Sequence, residues 1–313
     1  MNNDWEILLY YKYTRIDNPQ ELVLQQKAIC TQLGLKGRII IAEEGINGTL
    51  EGTKSKTQKY IDDLKSKHEF EDIHFKRSPG NGNAFPKLKV KLRDEIVSAH
   101  LGDDDVNPAE MTGKYLDPDE LHKWIEEGKK FYIVDMRNDY EYEVGHFKGS
   151  ILPNLKNFRD LPKILPEIEN IKSETILTVC TGGVRCEKAS GYLVSKGFKD
   201  TYQLNGGIVS YMEKYPNKDF LGKLYVFDNR VVMGFNTEDP KHKVISRCSK
   251  CQSSSDNYVD CRYKHCKGHR HFLVCESCLK NEVNSYCSKD CYHLANPKTI
   301  LPKTDNNVKM SDI

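Results

Sequence analysis

Thr175-Ile-Leu-Thr-Val-Cys-Thr-Gly-Gly-Val-Arg-Cys-Glu-Lys-Ala-Ser190 decides how the middle of this chain is read. Ile176, Leu177 and Val179 form a buried apolar strand that delivers Cys180 to a turn. Gly182 and Gly183 let the backbone fold tightly and aim N–H groups inward. A helix starts near Val184 and runs through Ala189, Tyr192 and Leu193. A thiol held against a helix N-terminus meets positive dipole and free N–H donors. Arg185 adds a fixed positive charge. Both effects favour the thiolate, which is the nucleophile. The loop of Thr181, Gly182, Gly183 and Val184 is also a cradle for an anion. The competing reading is a buried, inert cysteine at a strand end. Two glycines and an arginine serve no purpose for such a thiol, and thiol reactivity separates the two readings.

Working outward, residues 131–135 and 201–204 are further strands, and 186–195 is the helix between the strand ending at Cys180 and the one at 201–204. Strands alternating with helices mean a parallel α/β sheet. In such sheets the ligand site lies at the carboxyl ends of strands. Cys180 sits at one such end and Asp135 at another. Asp117-Pro-Asp-Glu opens a helix with Leu121, Trp124 and Ile125; Asp117 suits the N-cap and Pro118 the first helical position. Asp135 and Arg137 are expected to hold the Cys180 loop through ion pairing and hydrogen bonds. Glu141 reads as a structural partner of such an arginine, and His146 as a hydrogen-bonded structural histidine. For Cys186 two readings stand: it resolves a disulfide or persulfide of Cys180, or it packs in the helix.

The first part of the chain follows another pattern. Residues 5–13 form an aromatic-rich strand. Residues 19–33 form a helix with Leu22, Ile29 and Leu33 near one face, capped by Gly34. Residues 38–42 are a second strand, and 47–50 read as a turn entering a third. Residues 53–67 form a second amphipathic helix, and a fourth strand begins over 72–76. The order β-α-β-β-α-β is the ferredoxin-like split motif. Residues 78–84 read as a plain loop. An alternating strand follows, with Leu88, Val90 and Leu92 on one face and Lys87, Lys89, Lys91 and Arg93 on the other. That basic face is either a lysine-protected solvent edge or a stripe for an RNA backbone. Glu43, Glu44 and Asn47 form a turn only, or face the RNA. Cys30 reads as core. Residues 227–243 read as an extended connection.

The 313 residues suggest two or three domains. With 38% hydrophobic and 29% charged residues the chain is globular in type, and a formal net charge of +2 does not announce a nucleic-acid binder. No apolar run approaches the roughly 20 residues that span a bilayer. Met-Asn-Asn-Asp-Trp-Glu lacks the regions of a signal peptide, so a cytoplasmic location is expected. Eleven cysteines there argue for metal or catalysis over disulfides.

Eight of them follow the spacing Cys248-x2-Cys251-x9-Cys261-x4-Cys266-x8-Cys275-x2-Cys278-x8-Cys287-x3-Cys291. Close pairs each offer two soft ligands, as tetrahedral zinc requires. About two structural zinc ions are expected. Pairing is interleaved (first pair with third, second with fourth) or sequential, with the interleaved form favoured. His265, His269, His271 and His293 are possible replacement ligands, and an iron–sulfur site is the rival.

The middle region resembles a rhodanese domain. Asp135-Met-Arg-Asn-Asp-Tyr-Glu-Tyr-Glu-Val-Gly-His-Phe-Lys-Gly-Ser150, the loop from Cys180 to Arg185, and Leu204-Asn-Gly-Gly-Ile208 carry the likeness. It implies a persulfide on Cys180; the six-residue loop has the sulfurtransferase length, one residue shorter than in the related phosphatases. With Ala42-Glu-Glu-Gly-Ile-Asn-Gly-Thr49 and the cysteine-rich tail, the whole chain resembles the bacterial tRNA uridine hydroxylase family. That resemblance implies oxygen-dependent 5-hydroxylation of the tRNA wobble uridine, with molecular oxygen as co-substrate, tRNA as partner and Cys180 required. No flavin, haem or nucleotide motif and no facial triad is seen. A thiolate or persulfide adding to C6 of uridine would make C5 electron-rich. The alternatives are a sulfurtransferase carrying a Cys180 persulfide, which needs neither flanking region, and a non-catalytic zinc-and-rhodanese module, which the intact Cys180 opposes.

The expected organisation is α/β and α+β multidomain. A ferredoxin-like (acylphosphatase-like) domain occupies 1–95 and a linker 96–114. A rhodanese-like parallel α/β domain spans 115–222, followed by a linker over 223–245. A small zinc-binding cysteine-rich domain occupies 246–295, and a disordered tail 296–313.

Overall fold

The computed structural model of the protein describes residues 4–267 and 271–297. The chain forms two compact units that part between Ile245 and Ser246.

The first unit opens with β1 (Trp5–Tyr13), α1 (Pro19–Leu33), β2 (Lys36–Ala42), β3 (Gly45–Thr53), α2 (Lys54–Lys65) and β4 (Phe75–Pro79). The sheet runs β4-β1-β3-β2, the split-motif order, and β5 (Leu88–Leu92) extends it by pairing in parallel with β2. α1 starts where the Asn18 side chain accepts the Glu21 N–H, and ends at Gly34 in the left-handed region. The period of two along β1 sorts its side chains. Leu8 and Tyr10 join the core beneath the helices with Cys30, Tyr60 and Leu64. Ile7, Leu9 and Tyr11 point to the helix-free face and line a cavity there.

Two local expectations are corrected. Residues 47–50 lie inside β3, and the turn sits at Glu43 and Glu44, with Ala42 opposite Gly45. Pairing on both sides, with β1 and β2, overrides the turn preference of Asn-Gly. The fourth strand starts at Phe75 and runs through Ser78 and Pro79 into residues read as loop. The remaining loop is organised by Glu51, whose buried carboxylate accepts the N–H groups of Asn81, Gly82 and Ala84 at 3.1, 2.8 and 2.8 Å.

The same unit continues with β6 (Lys114–Leu116), α3 (Pro118–Glu126), β7 (Tyr132–Asp135), α4 (Asp139–Tyr142), β8 (Gly145–Phe147), α5 (Leu165–Ile168), β9 (Thr175–Val179), α6 (Val184–Ser195), β10 (Asp200–Leu204), α7 (Gly207–Lys214) and β11 (Phe220–Gly222). A parallel sheet runs β6-β10-β9-β7. β9 is buried on both faces: Ile176 packs with Ala189 and Leu193, while Leu177 and Val179 pack with Ile208 and Tyr211. Asp117 occupies the N-cap position of α3 but does not cap it; its carboxylate accepts from Asn205 Nδ2 at 2.8 Å. Residues 96–114 are packed against this part, with Ala99 and Leu101 in its core.

β12 (Leu224–Tyr225) and β13 (Val232–Met233) form a hairpin within residues 223–245, expected from the sequence to be a linker. Leu224 and Met233 pack on the parallel-sheet core. Asn229 and Arg230 in its turn reach the first sheet: Asn229 N–H donates to Ala84 O at 2.9 Å, and Arg230 Nη1 to Ser78 Oγ at 3.2 Å.

The second unit holds β14 (Tyr258–Asp260), β15 (His271–Leu273), α8 (Glu276–Leu279) and α9 (Lys289–Ala295). Its small core gathers Cys248, Cys261, Phe272, Val274 and Tyr286. Of the expected tail, residues 298–313 lie outside the described residues. Asn296 closes α9 by donating its N–H to Tyr292 O at 3.0 Å. Among the described residues no helix is long and apolar enough to cross a membrane.

Candidate active site at Cys180

Cys180 follows the last residue of β9, and α6 begins four residues later. The thiol is buried, and Gly183 N–H donates to its Sγ at 3.2 Å. Burial by itself pushes the Cys180 thiol up. The Cys186 thiol, the Arg185 guanidinium and the N–H groups of Cys186 and Gly183 outweigh burial and bring it down to about 6. Cys186 moves the other way, raised by burial and by its hydrogen bond to Cys180. Cys186 is buried in α6 beside the loop, where its N–H donates to Gly183 O at 2.9 Å.

Arg185 is buried and doubly bonded to Glu141, Nη1–Oε2 at 2.6 Å and Nη2–Oε1 at 2.7 Å. Its charge is therefore matched by a buried carboxylate. Asp135 and Arg137 form a second fully buried pair, with Nη2–Oδ2 at 2.6 Å. Arg137 also donates to Gly145 O at 2.7 Å and Glu141 O at 3.3 Å. Through these bonds the pair fixes the segment that carries Glu141. His146 Nδ1 lies 2.9 Å from Tyr142 O, a structural bond.

Side chains of the first sheet complete the loop's surroundings. Lys76 Nζ donates to Gly182 O at 2.9 Å, and Tyr13 Oη to Val184 O at 3.3 Å. Tyr11 Oη donates to Glu187 Oε1 at 3.0 Å, a carboxylate also held by Tyr115 and Gln203. Leu9 packs against the core that contains Leu177 and Val179. These approaches explain the two glycines. A Cβ at Gly182 would lie 2.8 Å from Leu9 Cδ2; one at Gly183, where φ is +103°, would lie 2.7 Å from Tyr11 Oη. Lys188 adds a buried tie, bonding Glu44 and Asp105 at 2.8 Å each.

A cavity of about 470 Å³ opens between the first sheet, the Cys180 loop and the β12–β13 hairpin. Cys180, Thr181 and Gly182 line it from one side, and Leu9, Tyr11 and Asn47 from another. Seven cations border it (Arg38, Lys76, Arg77, Arg93, Arg159, Arg185 and Arg230) against two carboxylates, Glu95 and Asp228. Phe227, 47% exposed, presents its ring at the wall with the Arg185 guanidinium 5.8 Å from its centre. This is a volume and a charge suited to a nucleotide.

In the second unit the eight cysteines form two groups, Cys248, Cys251, Cys275 and Cys278, then Cys261, Cys266, Cys287 and Cys291. The grouping is interleaved. Within each group the sulfur atoms lie within 4.8 Å of one another. Cys251–Cys275 and Cys266–Cys287 sulfurs are 3.6 Å apart, and Cys287–Cys291 sulfurs 3.5 Å. Four thiolates at about 2.3 Å around a tetrahedral zinc would stand about 3.8 Å apart. The donor sets therefore fit a tetrahedral metal ion. Neither group includes a histidine; His271 pairs with Asp260, and His269 lies outside the described residues.

Residues 5–96 match an acylphosphatase-like domain family, 117–214 the rhodanese-like domain and 221–292 the rhodanese C-terminal family. The tRNA uridine(34) hydroxylase of Bacillus licheniformis is 41% identical over 93% of this chain and 89% of its own length. The chain belongs to the tRNA uridine(34) hydroxylase family. Members from Cytophaga hutchinsonii and Acholeplasma laidlawii are 41% and 42% identical, over 92% and 93% of this chain and 90% of their own lengths. A solved rhodanese-like domain from Anabaena is similar at 22% identity over 36% of this chain and 80% of that one, with a TM-score of 0.31.

In this hydroxylase-family chain the basic stripe lies on the cavity side of the first sheet. Lys89 pairs with Arg38 and Lys91 with Ile40, while Leu88 and Val90 face the helices. Lys87, Lys89, Lys91 and Arg93 are all exposed, and Arg93 lines the cavity. Sequence reasoning missed Lys76, Tyr11, Phe227 and Arg230. A hairpin signal was present for the last two: Asp228-Asn229 between apolar runs. Asn47 lines the cavity, and the Glu44 carboxylate accepts Ile96 N–H and pairs with Lys188.

Proposed function

We propose that this chain hydroxylates C5 of uridine 34 in tRNA, giving 5-hydroxyuridine, with molecular oxygen as co-substrate and Cys180 as the reacting group. The observation that carries this reading is the cation-walled cavity with an acidified Cys180 against it. Wobble bases sit in a single-stranded loop and can be splayed out of the stack. The cavity takes the base, and Phe227 offers a ring to stack on. Cys180 acts as nucleophile toward C6, or as persulfide carrier, and the N–H groups of the 181–184 loop face the charge that develops. Arg185 keeps the loop in shape through Glu141. Lys87, Lys89, Lys91 and Arg93 bind the RNA backbone along β5. Each cysteine group holds one zinc; with four protein ligands such sites are structural. The protein works in the cytoplasm, where tRNA is found.

The test is expression in a strain lacking its own hydroxylases, followed by mass spectrometry of digested tRNA. 5-Hydroxyuridine that depends on oxygen and on Cys180, with no added sulfur donor, is the expected result. Thiolated uridine in its place, or fast thiosulfate sulfurtransfer with unmodified tRNA, would establish the sulfurtransferase reading. Trapping an adduct with 5-fluorouridine RNA tests the addition to C6.

A further inference from the structure

Lys76 stands opposite Leu9 on β4, more than 100 residues from Cys180 in sequence. Its side chain crosses the Tyr11 ring, with Nζ 5.1 Å from the ring centre, and reaches the Cys180 loop at Gly182 O, 2.9 Å away. It is half-buried and lines the cavity beside Cys180. Among the described residues no carboxylate lies within ion-pair distance of Nζ. Arg185, the other cation at the loop, is already matched by Glu141. An ammonium has three N–H donors and Gly182 takes one. The others are free for the sulfur or for a bound ring.

We propose that Lys76 is a catalytic residue of the Cys180 site: its ammonium steadies the sulfur anion and then protonates the substrate ring. This rests on the reading of Cys180 as the nucleophile toward uridine. The sulfur lone pair forms the S–C6 bond. The C5=C6 π pair moves toward C4, and the C4=O4 π pair goes onto O4. One Nζ–H proton passes to O4, leaving an enol and a neutral amine. No electrons are gained or lost in this step, and C5 becomes the nucleophilic carbon.

The surroundings leave few groups to titrate with Lys76 near neutral pH. Tyr11 on β1 and Tyr115 on β6 are raised by burial and by Glu187, so they stay neutral. His74 is lowered by burial, Lys76 and Lys65. Glu187 on α6 and Cys180 are the negative partners. Burial draws Lys76 down to about 8, although Cys180 and Glu187 oppose it. A lysine near 8 is suited to give up a proton at physiological pH.

Two measurements test the role. The first is the pH dependence of Cys180 alkylation by iodoacetamide, which needs no hydroxylation. Lys76→Met should raise the midpoint by about one pH unit, whereas Lys76→Arg should leave it near wild type. A midpoint in Lys76→Met equal to wild type would overturn the proposal. The second is the pH profile of 5-hydroxyuridine formation. Wild type should lose turnover on an alkaline limb centred near 8; Lys76→Arg, whose guanidinium keeps its charge but cannot give up a proton, should keep the alkylation midpoint and still lose turnover about tenfold or more. Turnover in Lys76→Arg equal to wild type would also overturn it. If no 5-hydroxyuridine forms with wild type, the substrate reading fails while alkylation still decides the Lys76–Cys180 coupling. If Lys76→Met fails to fold, the turnover of Lys76→Arg relative to wild type decides.

Discussion

Arg185 and Glu141 meet as a buried, bidentate ion pair that joins the start of α6 to the segment after β7. A buried pair loses about 3–5 kcal/mol when one partner is removed, because the other charge is left without a counterpart. Glu141→Ala should lower stability by about that amount, read from the urea midpoint. Removing both partners should recover part of the loss. A double variant as unstable as the sum of the singles would show that the two residues act separately.

Cys180 should alkylate with a midpoint near pH 6, well below a free thiol at about 8.5. The folded thiol titrates below the unfolded one. Its thiolate therefore contributes stability that is complete above about 8.5 and lost as the pH falls through about 6. Wild type should lose stability relative to Cys180→Ser over that window. Cys180→Ser should abolish turnover with the fold intact. Cys186→Ser should cost less turnover but move the Cys180 midpoint upward, since the Cys186 thiol is one of the groups holding it down. Equal, complete loss of turnover in both variants would reverse this ranking.

Purified protein should carry about two zinc ions per chain, one per cysteine group. Cys275→Ala and Cys287→Ala should each lose one equivalent by elemental analysis. Chelation should unfold the second unit, whose core is built largely of the ligand cysteines. A chain that keeps its far-ultraviolet dichroism and melting profile with no metal would count against this.

RNA affinity should fall steeply with salt. Each contact to a single-stranded phosphate contributes about 0.7 to the slope of log affinity against log salt. Neutralising Lys87, Lys89, Lys91 and Arg93 together should therefore flatten the slope by up to about 3. An unchanged slope returns the stripe to a solvated strand edge.

The Cys180 loop was legible because its chemistry is local: strand, glycines, arginine and helix follow one another within 16 residues of sequence. The cysteine groups were legible for a similar reason, since pair spacing is a property of single turns. Lys76 and Tyr11 were not. They reach the loop through sheet packing across more than 100 residues, and no periodicity encodes such an approach. The short β6 and the β12–β13 ladder escaped too; two or three residues are too few for a pattern to register. Val231, in the left-handed region at φ 59°, is held there by the hairpin and would not be guessed from a valine. Asn47-Gly48 failed in the opposite direction: a turn-like pair was overruled by strands on both sides.

The hairpin that touches Ser78 and Ala84 has a consequence for synthesis. Leu9 and Ile40 lie on a face of the first sheet whose facing cavity wall, with Leu224 and Met233, is complete only when residues through Met233 have been made. About 140 residues separate β5 from that point. At roughly 5–20 residues per second, the ribosome leaves this apolar face bare for roughly 7–28 s. Slow codons between residues 92 and 233 should therefore lower the soluble yield without changing the finished enzyme, as a series of synonymous genes compared by soluble fraction would show.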